Sequence, residues 1–469
     1  MMATAQKIKS SFRDPDGQVF IEGDRIFRLI RRDAVSHYRH LMDSGLYNAL
    51  IKEGLLISHQ EIANDQHDIA TASGDIVIAP ERIPFISYPY EWSFSALKEA
   101  ALTTLKIQKL CLDHGMTLQD ATAFNIQFIN GRWLMIDTGS FRKQDHFAPW
   151  GAYRQFCQHF LAPLLLMTYC DARLLSLFSH YLDGIPLDLA AKLLPLRVRM
   201  RPAVLMHIVM HAKYTQQDFD VSAVKTQESK VSKASAYGLI DQLQSVIASL
   251  VLEKKETFWT DYEQTHTYNT EEFKHKEAFI ADAVSRSAPD MIWDMGANTG
   301  HFSRLALDCA ARKAAVVAFE FDFMTVEAGN RQSQARATDK PLHLWMDLLN
   351  PTAPAGWAGE EWQNLEARGP ADIVLALALI HHLCLSGNIN FEQLSGFFAR
   401  IARNLVIEFV PKDDPQSQRL LKSRKDIYQG YTQNLFEENF SNAFTILKKE
   451  AVSQTGRTLY LMKNHALAK

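Results

Sequence analysis

The residues best placed to do chemistry gather around one turn. In Met291-Ile-Trp-Asp-Met-Gly-Ala-Asn-Thr-Gly-His-Phe-Ser303 an apolar strand ends on Asp294, a Gly-rich turn follows, and an amphipathic helix opens after Gly300. Gly296 and Gly300 have no Cβ, so the backbone can approach a ligand closely beside Ala297. Asn298 stands where many nucleotide-binding turns carry another glycine, and Asn is the next most tolerant of left-handed backbone. Further on, an apolar strand over 315–319 runs into Glu320, with Asp322 two positions beyond. In an open α/β sheet, an acid at the end of the second strand accepts hydrogen bonds from ribose hydroxyls. This pattern calls for an adenosine-bearing cofactor at the carboxyl ends of parallel strands.

The turn reads Asp-x-Gly-x-Asn-x-Gly, not Gly-x-Gly-x-x-Gly, and an acid at 294 suits an aminoacyl sulfonium better than a pyrophosphate. S-adenosylmethionine is therefore expected in preference to NAD. The stretch resembles motif I of class I methyltransferases. A third strand is expected over 342–346, ending at Asp347 and Leu348; the resembling enzymes place an adenine-facing acid at the position of Asp347. The apolar run 373–379 reads as a central strand buried on both faces. Residues 391–401 have helical apolar spacing, and a fifth strand is expected over 405–410. A long helical stretch over 416–439 and two short strands, 443–447 and 457–462, complete the half. Class I methyltransferases end in such an antiparallel pair, so the fold expected for 257–469 is α/β and Rossmann-like, with an antiparallel final strand.

Two groups could meet the acceptor. His381 and His382 follow the fourth strand, and a neutral imidazole near pH 7 is a fitting general base; either could instead cap the strand end. The aromatic and polar segment 258–268 precedes the sheet, where a lid would lie. Tyr262, Tyr268 and Lys274 could face substrate there, or only pack the lid.

The N-terminal half carries a second constellation. Asp120 and Asn125 are spaced Asp-x4-Asn, and Asn130-Gly131 between two apolar runs is a strong type I′ hairpin signal. The second run ends on Asp137. Base Asp, metal-binding Asn, hairpin, metal-binding Asp is the order in protein-kinase-like phosphotransferases, and a helix over 94–113 fits the one preceding such a loop. No Gly-rich phosphate loop is visible, and the early strand 25–30 offers only Arg25 and Arg28 where a lysine is expected. An α+β domain is expected over 1–235; a degenerate kinase-like domain, an active one, and an unrelated substrate-binding domain remain open. The polar stretch 225–235 reads as a linker, followed by a connecting helix over 236–256.

Segments throughout the chain resemble the NoeA-like methyltransferases: Ser44-Gly-Leu-Tyr47, Ser87-Tyr-Pro-Tyr-Glu-Trp-Ser-Phe94, Tyr153-Arg-Gln-Phe-Cys-Gln-His-Phe160, Trp293–Gly300, Leu377-Ala-Leu-Ile-His-His-Leu383 and Glu408-Phe-Val-Pro411. The resemblance implies methyl transfer from S-adenosylmethionine and leaves the acceptor open.

Whole-chain properties set the bounds. A length of 469 residues suits two or three domains, and 47% hydrophobic content suits packed cores. Five scattered cysteines fit a reducing, cytoplasmic setting and give no zinc pattern. No apolar run is long enough for a membrane span. A net charge of -3 without a long basic run gives no electrostatic basis for capturing long nucleic acid. A small-molecule acceptor is expected; a protein or RNA partner docked by the N-terminal domain, and a bifunctional kinase and methyltransferase, are the alternatives.

Overall fold

The computed structural model describes residues 5–213, 230–253, 268–336, 339–422, 428–452, 454 and 456–467. Two units emerge: Met1–Glu253 with the short segment Ala355–Trp362, and Lys254–Pro354 with Gln363–Lys469.

In the first unit, β1 (Gln6–Lys7), β2 (Gly17–Glu22), β3 (Arg25–Ile30), β4 (His59–Ile62) and β5 (Ile76–Pro80) form an antiparallel sheet in the order β1-β2-β3-β5-β4. The helix Arg32–Asp43 lies between β3 and β4 in sequence and buries Ala34, Tyr38 and Leu41. The helix Phe94–Asp113 follows; Ser93 caps it by accepting from the Ala96 N–H at 3.2 Å. Then come β6 (Met116–Leu118), β7 (Ile126–Ile129), β8 (Arg132–Met135) and β9 (Phe141–Lys143), pairing as β6-β9 and β7-β8. Asn130 and Gly131 have φ of 51° and 81°, the two left-handed residues that a type I′ turn needs. Sheet, inserted helix, long helix and paired short strands succeed one another as in a protein-kinase-like domain. The helix expected as a connector starts earlier, at Lys233, and ends at Ser249. It belongs to the first unit, where it buries Ile240, Leu243 and Ile247 and where Lys98 Nζ donates to the Ala248 and Leu250 carbonyls at 2.7 and 2.8 Å.

The second unit is built on β10 (Met291–Met295), β11 (Ala315–Glu320), β12 (Leu342–Trp345), β13 (Ala371–Ala376), β14 (Ala402–Phe409), β15 (Phe444–Ala451) and β16 (Thr458–Asn464). Their order is β12-β11-β10-β13-β14-β16-β15; β12 to β14 run parallel and β16 antiparallel to β14. This is the Rossmann-like sheet of class I methyltransferases. Ile292, Val316, Ile373, Leu375 and Val406 lie in one core cluster with Ile280 and Val284 of the helix Thr270–Ser287. The helical stretch expected over 416–439 is interrupted. Helices occupy Pro415–Leu421 and Gln433–Ser441, and Thr432 starts the second by accepting from the Leu435 N–H. Among the described residues, no helix is long and apolar enough to cross a membrane.

Candidate functional site

The turn after β10 is fixed by its neighbours. Gly296 and Ala297 N–H groups both donate to the Phe319 carbonyl of β11 at 2.9 Å. Gly296, Asn298 and Gly300 have φ of 74°, 52° and 84°, so the turn uses left-handed backbone three times within five residues. Space is as restrictive as torsion. A Cβ on Gly296 would lie 3.1 Å from Leu379 Cδ1, and one on Gly300 only 2.4 Å from His343 Cε1. Asp294 is buried, and Ser303 Oγ donates to its Oδ2 at 2.6 Å. Burial pushes its carboxyl up to about 6, while Ser303, Lys276 and Arg304 pull the other way.

Glu320 is buried at the end of β11. Its Oε1 accepts the N–H groups of Phe321 and Asp322 at 2.8 and 3.0 Å, and its Oε2 accepts the Asn298 N–H at 3.0 Å. Despite these three donors, burial raises it to about 7. Asp322 instead caps the helix Phe323–Gln334: its Oδ1 accepts from the Thr325 N–H and hydroxyl, each at 2.8 Å. Asp347 is exposed after β12 and accepts the Leu349 N–H at 2.9 Å; Leu348 is half-buried.

Beyond β13 and β14 lies a buried polar network that sequence reasoning missed. Glu408 of β14 is fully buried. Its Oε2 accepts from Lys276 Nζ at 2.7 Å and from the Ala378 N–H at 2.9 Å, and its Oε1 accepts from the Tyr268 hydroxyl. Arg457 donates to both Asp414 oxygens, at 2.8 and 2.9 Å, and to the Tyr268 oxygen at 3.1 Å. Burial raises Glu408 to about 7 against the pull of Arg457 and the Ala378 N–H. It drives Lys276 well below the ordinary lysine value, assisted by Arg457 and opposed by Asp294. Ala378, which donates to Glu408, has φ 48°; left-handed backbone at a non-glycine residue stores strain, and such strain clusters at functional sites.

Of the three lid residues, Tyr268 is buried in this network, Lys274 is exposed, and Tyr262 lies outside the described residues. The buried lysine is Lys276, two positions on. Its signal was in the sequence: it falls among Phe273, Phe279, Ile280, Ala283 and Val284 on the apolar face of its helix, and a lysine in that register must be paired.

His381 and His382 lie with ring centroids 4.2 Å apart and planes tilted by 43°. His381 is fully buried, and among the described residues neither ring nitrogen has a hydrogen-bond partner. Burial first, then His382, Arg457 and Lys276, hold His381 well below the ordinary imidazole value, and His382 is lowered to about 4. These are neutral imidazoles, and the protonated form that a general base must reach is disfavoured by the cations around them.

In the first unit, the predicted trio comes together. Asn125 Nδ2 donates to Ser140 Oγ at 3.2 Å, and Ser140 Oγ donates to Asp137. Asp120 accepts the Thr122 N–H at 3.0 Å; burial raises its carboxyl, followed by the charge of Asp137, against bonds from Thr122, Gln155 and Asn125. The loop is held from the helical run after 153. Gln155 accepts the Ala121 N–H at 2.7 Å, and His159 Nδ1 lies 3.1 Å from Thr122 Oγ1. Phe124 stacks on Trp362 at 4.3 Å. Asp137 also forms an ion pair with Arg28 of β3.

No family model matches the chain. Among solved structures, WbdD is similar with a TM-score of 0.31 and 14% identity, over 47% of this chain and 46% of that one. Magnesium protoporphyrin IX methyltransferase of Synechocystis PCC 6803 is similar with a TM-score of 0.28 and 15% identity, over 45% of this chain and 86% of that one. The strand order carries the fold assignment without them. The nodulation protein NoeA of Rhizobium meliloti (strain 1021) is 33% identical over 458 residues, 97% of this chain and 95% of that protein. At that identity over nearly the full length of both, the chain belongs to the NoeA family.

Proposed function

We propose that this chain is an S-adenosylmethionine-dependent methyltransferase whose C-terminal unit transfers a methyl group to a small-molecule acceptor. The observation that carries the reading is the pairing of a left-handed Gly296–Gly300 turn with the buried acid Glu320. Three N–H donors occupy three of the four lone pairs of Glu320, leaving one on Oε2 for a ribose hydroxyl. The side-chain-free Gly296 leaves a cradle at the strand end that a Cβ would crowd against Leu379. Both features fit S-adenosylmethionine, which would supply an electrophilic methyl. Glu320 would hold the ribose, Asp294 the aminoacyl end, and Asp347 with Leu348 the adenine.

For a displacement at a methyl carbon, the protein's main task is to align the acceptor. His381, neutral and with both nitrogens unpaired, is suited to orient an acceptor hydroxyl or amine by hydrogen bonding. The network of Lys276, Glu408, Tyr268 and Arg457 would fix the strand end that carries it. Five free cysteines suit a cytoplasmic setting. The test is titration calorimetry on the full chain: S-adenosylhomocysteine should bind and NAD should not. Binding of NAD alone would overturn the assignment.

A further inference from the structure

A kinase-like fold implies a site for magnesium and a nucleotide. In such folds the segment between the first two strands covers the phosphates, a basic residue of the third strand contacts them, and the Asp after the hairpin holds the metal. In this chain the segment between β1 and β2 carries Asp14 and Asp16 where glycines would be needed. Asp14 Oδ2 accepts from Arg28 Nη2 at 2.8 Å, and the other arm of Arg28 reaches Asp137. Asp16 pairs with Arg142, whose Nη1 also donates to the Gly139 and Phe141 carbonyls at 2.8 and 3.1 Å. Asp137 is further occupied by the Gly139 N–H at 3.0 Å and the Ser140 hydroxyl.

The cluster is closely built. The cavity it lines has a volume of only about 10 Å³. A Cβ on Gly139 would sit 2.7 Å from Arg28 Nη2, and one on Gly17 would sit 2.6 Å from the Leu29 carbonyl and 3.2 Å from Asp14 Oδ2. Arg28 and Arg142, the two guanidinium groups lining this cavity, already hold carboxylates. The three acids outnumber the two arginines, so the field opposes a further anion. Magnesium–nucleotide does not fit these residues as they stand.

We propose that the first unit is not a phosphotransferase: Asp14 and Asp16 are internal stand-ins for phosphate, latching Arg28 and Arg142 over a polyphosphate site that opens only when they are removed. The latch converts a phosphate-binding frame into a fixed scaffold, and it retains a cryptic affinity for a polyphosphate anion.

The experiment uses the full chain, with magnesium pyrophosphate and magnesium ATP as probes. Wild type should show no shift in melting temperature with either probe and no hydrolysis of ATP. Asp14→Asn with Asp16→Asn should bind pyrophosphate about tenfold or more tightly than wild type, the scale of one recovered charge-assisted contact. Should the double variant fail to fold by circular dichroism, each single variant removes one carboxylate from its arginine, Arg28 keeping Asp137, and should show the same gain in smaller measure. Wild-type binding of magnesium ATP that Asp137→Asn abolishes would overturn the proposal. So would folded variants that gain no affinity for pyrophosphate.

Discussion

Replacing Glu320 by Gln gives a prediction whose size follows from the geometry. The wild-type carboxylate accepts three backbone N–H groups and titrates at about 7 because it is buried. The charge-assisted bond to a ribose hydroxyl forms only with the ionised carboxylate. At pH 6 about one-tenth of Glu320 would be ionised, so affinity for S-adenosylhomocysteine should fall about tenfold relative to pH 8, or about 1.4 kcal/mol. Glu320→Gln removes this dependence, because an amide does not titrate. It also puts an NH2 group against at least one N–H donor, either Asn298 or the Phe321 and Asp322 pair. Binding at pH 8 should weaken by about 1.5–3 kcal/mol, the scale for a lost charged partner. Calorimetry across this pH range measures both effects. Asp294→Asn is the control, since Asp294 at about 6 could contribute a second, more acidic step. Wild-type affinity that is flat from pH 8 to about pH 6, with Glu320→Gln binding equally well, would refute the reasoning.

Four further outcomes follow from other parts of the molecule. Lys276→Met alone should destabilise by about 3–5 kcal/mol in urea unfolding because it strands a buried carboxylate, and Lys276→Met with Glu408→Gln should cost less than the two single changes together. His381→Ala should lower turnover without producing or removing an acid limb near pH 6, since its imidazole is already neutral there; a limb near pH 6 that vanishes in this variant would restore the general-base role. Gly300→Ala should destabilise by about 2 kcal/mol or more, through φ of 84° and the contact with His343, read from the urea midpoint. Stability should decline as pH falls below about 6.5. The buried His59, His159, His207, His343 and His382, lowered to about 3 or 4, contribute stability that is full above about pH 6.5 and is lost as pH falls through those values. The raised Asp294, Glu320 and Glu408 contribute stability that is present at low pH and lost as pH rises to about 6 or 7, which offsets only part of the histidine loss. Urea midpoints at a series of pH values check this, and a level profile from pH 6.5 to 4.5 would contradict it.

What the sequence made legible is what local chemistry dictates. Asn130-Gly131 specifies its turn by torsion alone, and 94–113 and 391–401 carry enough apolar period to set their helices. The Gly296–Gly300 turn and Glu320 were readable because glycine, Asn and a strand-end acid each have few other reasons to stand there. Long-range pairing was not legible. Nothing near Arg28 in sequence shows that it will bridge Asp14 and Asp137, and Glu408, Lys276 and Arg457 meet only once three separate elements have packed. The break in 416–439 was obscured because charged residues suit helix and loop alike. Lys274 follows the polar face of its helix, whereas Lys276 interrupts the apolar face and is the lysine the fold buries. The histidines were identified by position, but their burial, which decides their chemistry, depends on the fold around them.

The central claim is that the strand ends of the C-terminal unit hold S-adenosylmethionine. A crystal structure of the full chain with S-adenosylhomocysteine tests it most directly. The ribose should lie within hydrogen-bond distance of Glu320, the aminoacyl end beside Asp294 and Gly296, and the sulfur should face the 378–382 segment. Density for the ligand elsewhere on the protein, or none at saturating concentration while NAD occupies the turn, would contradict it.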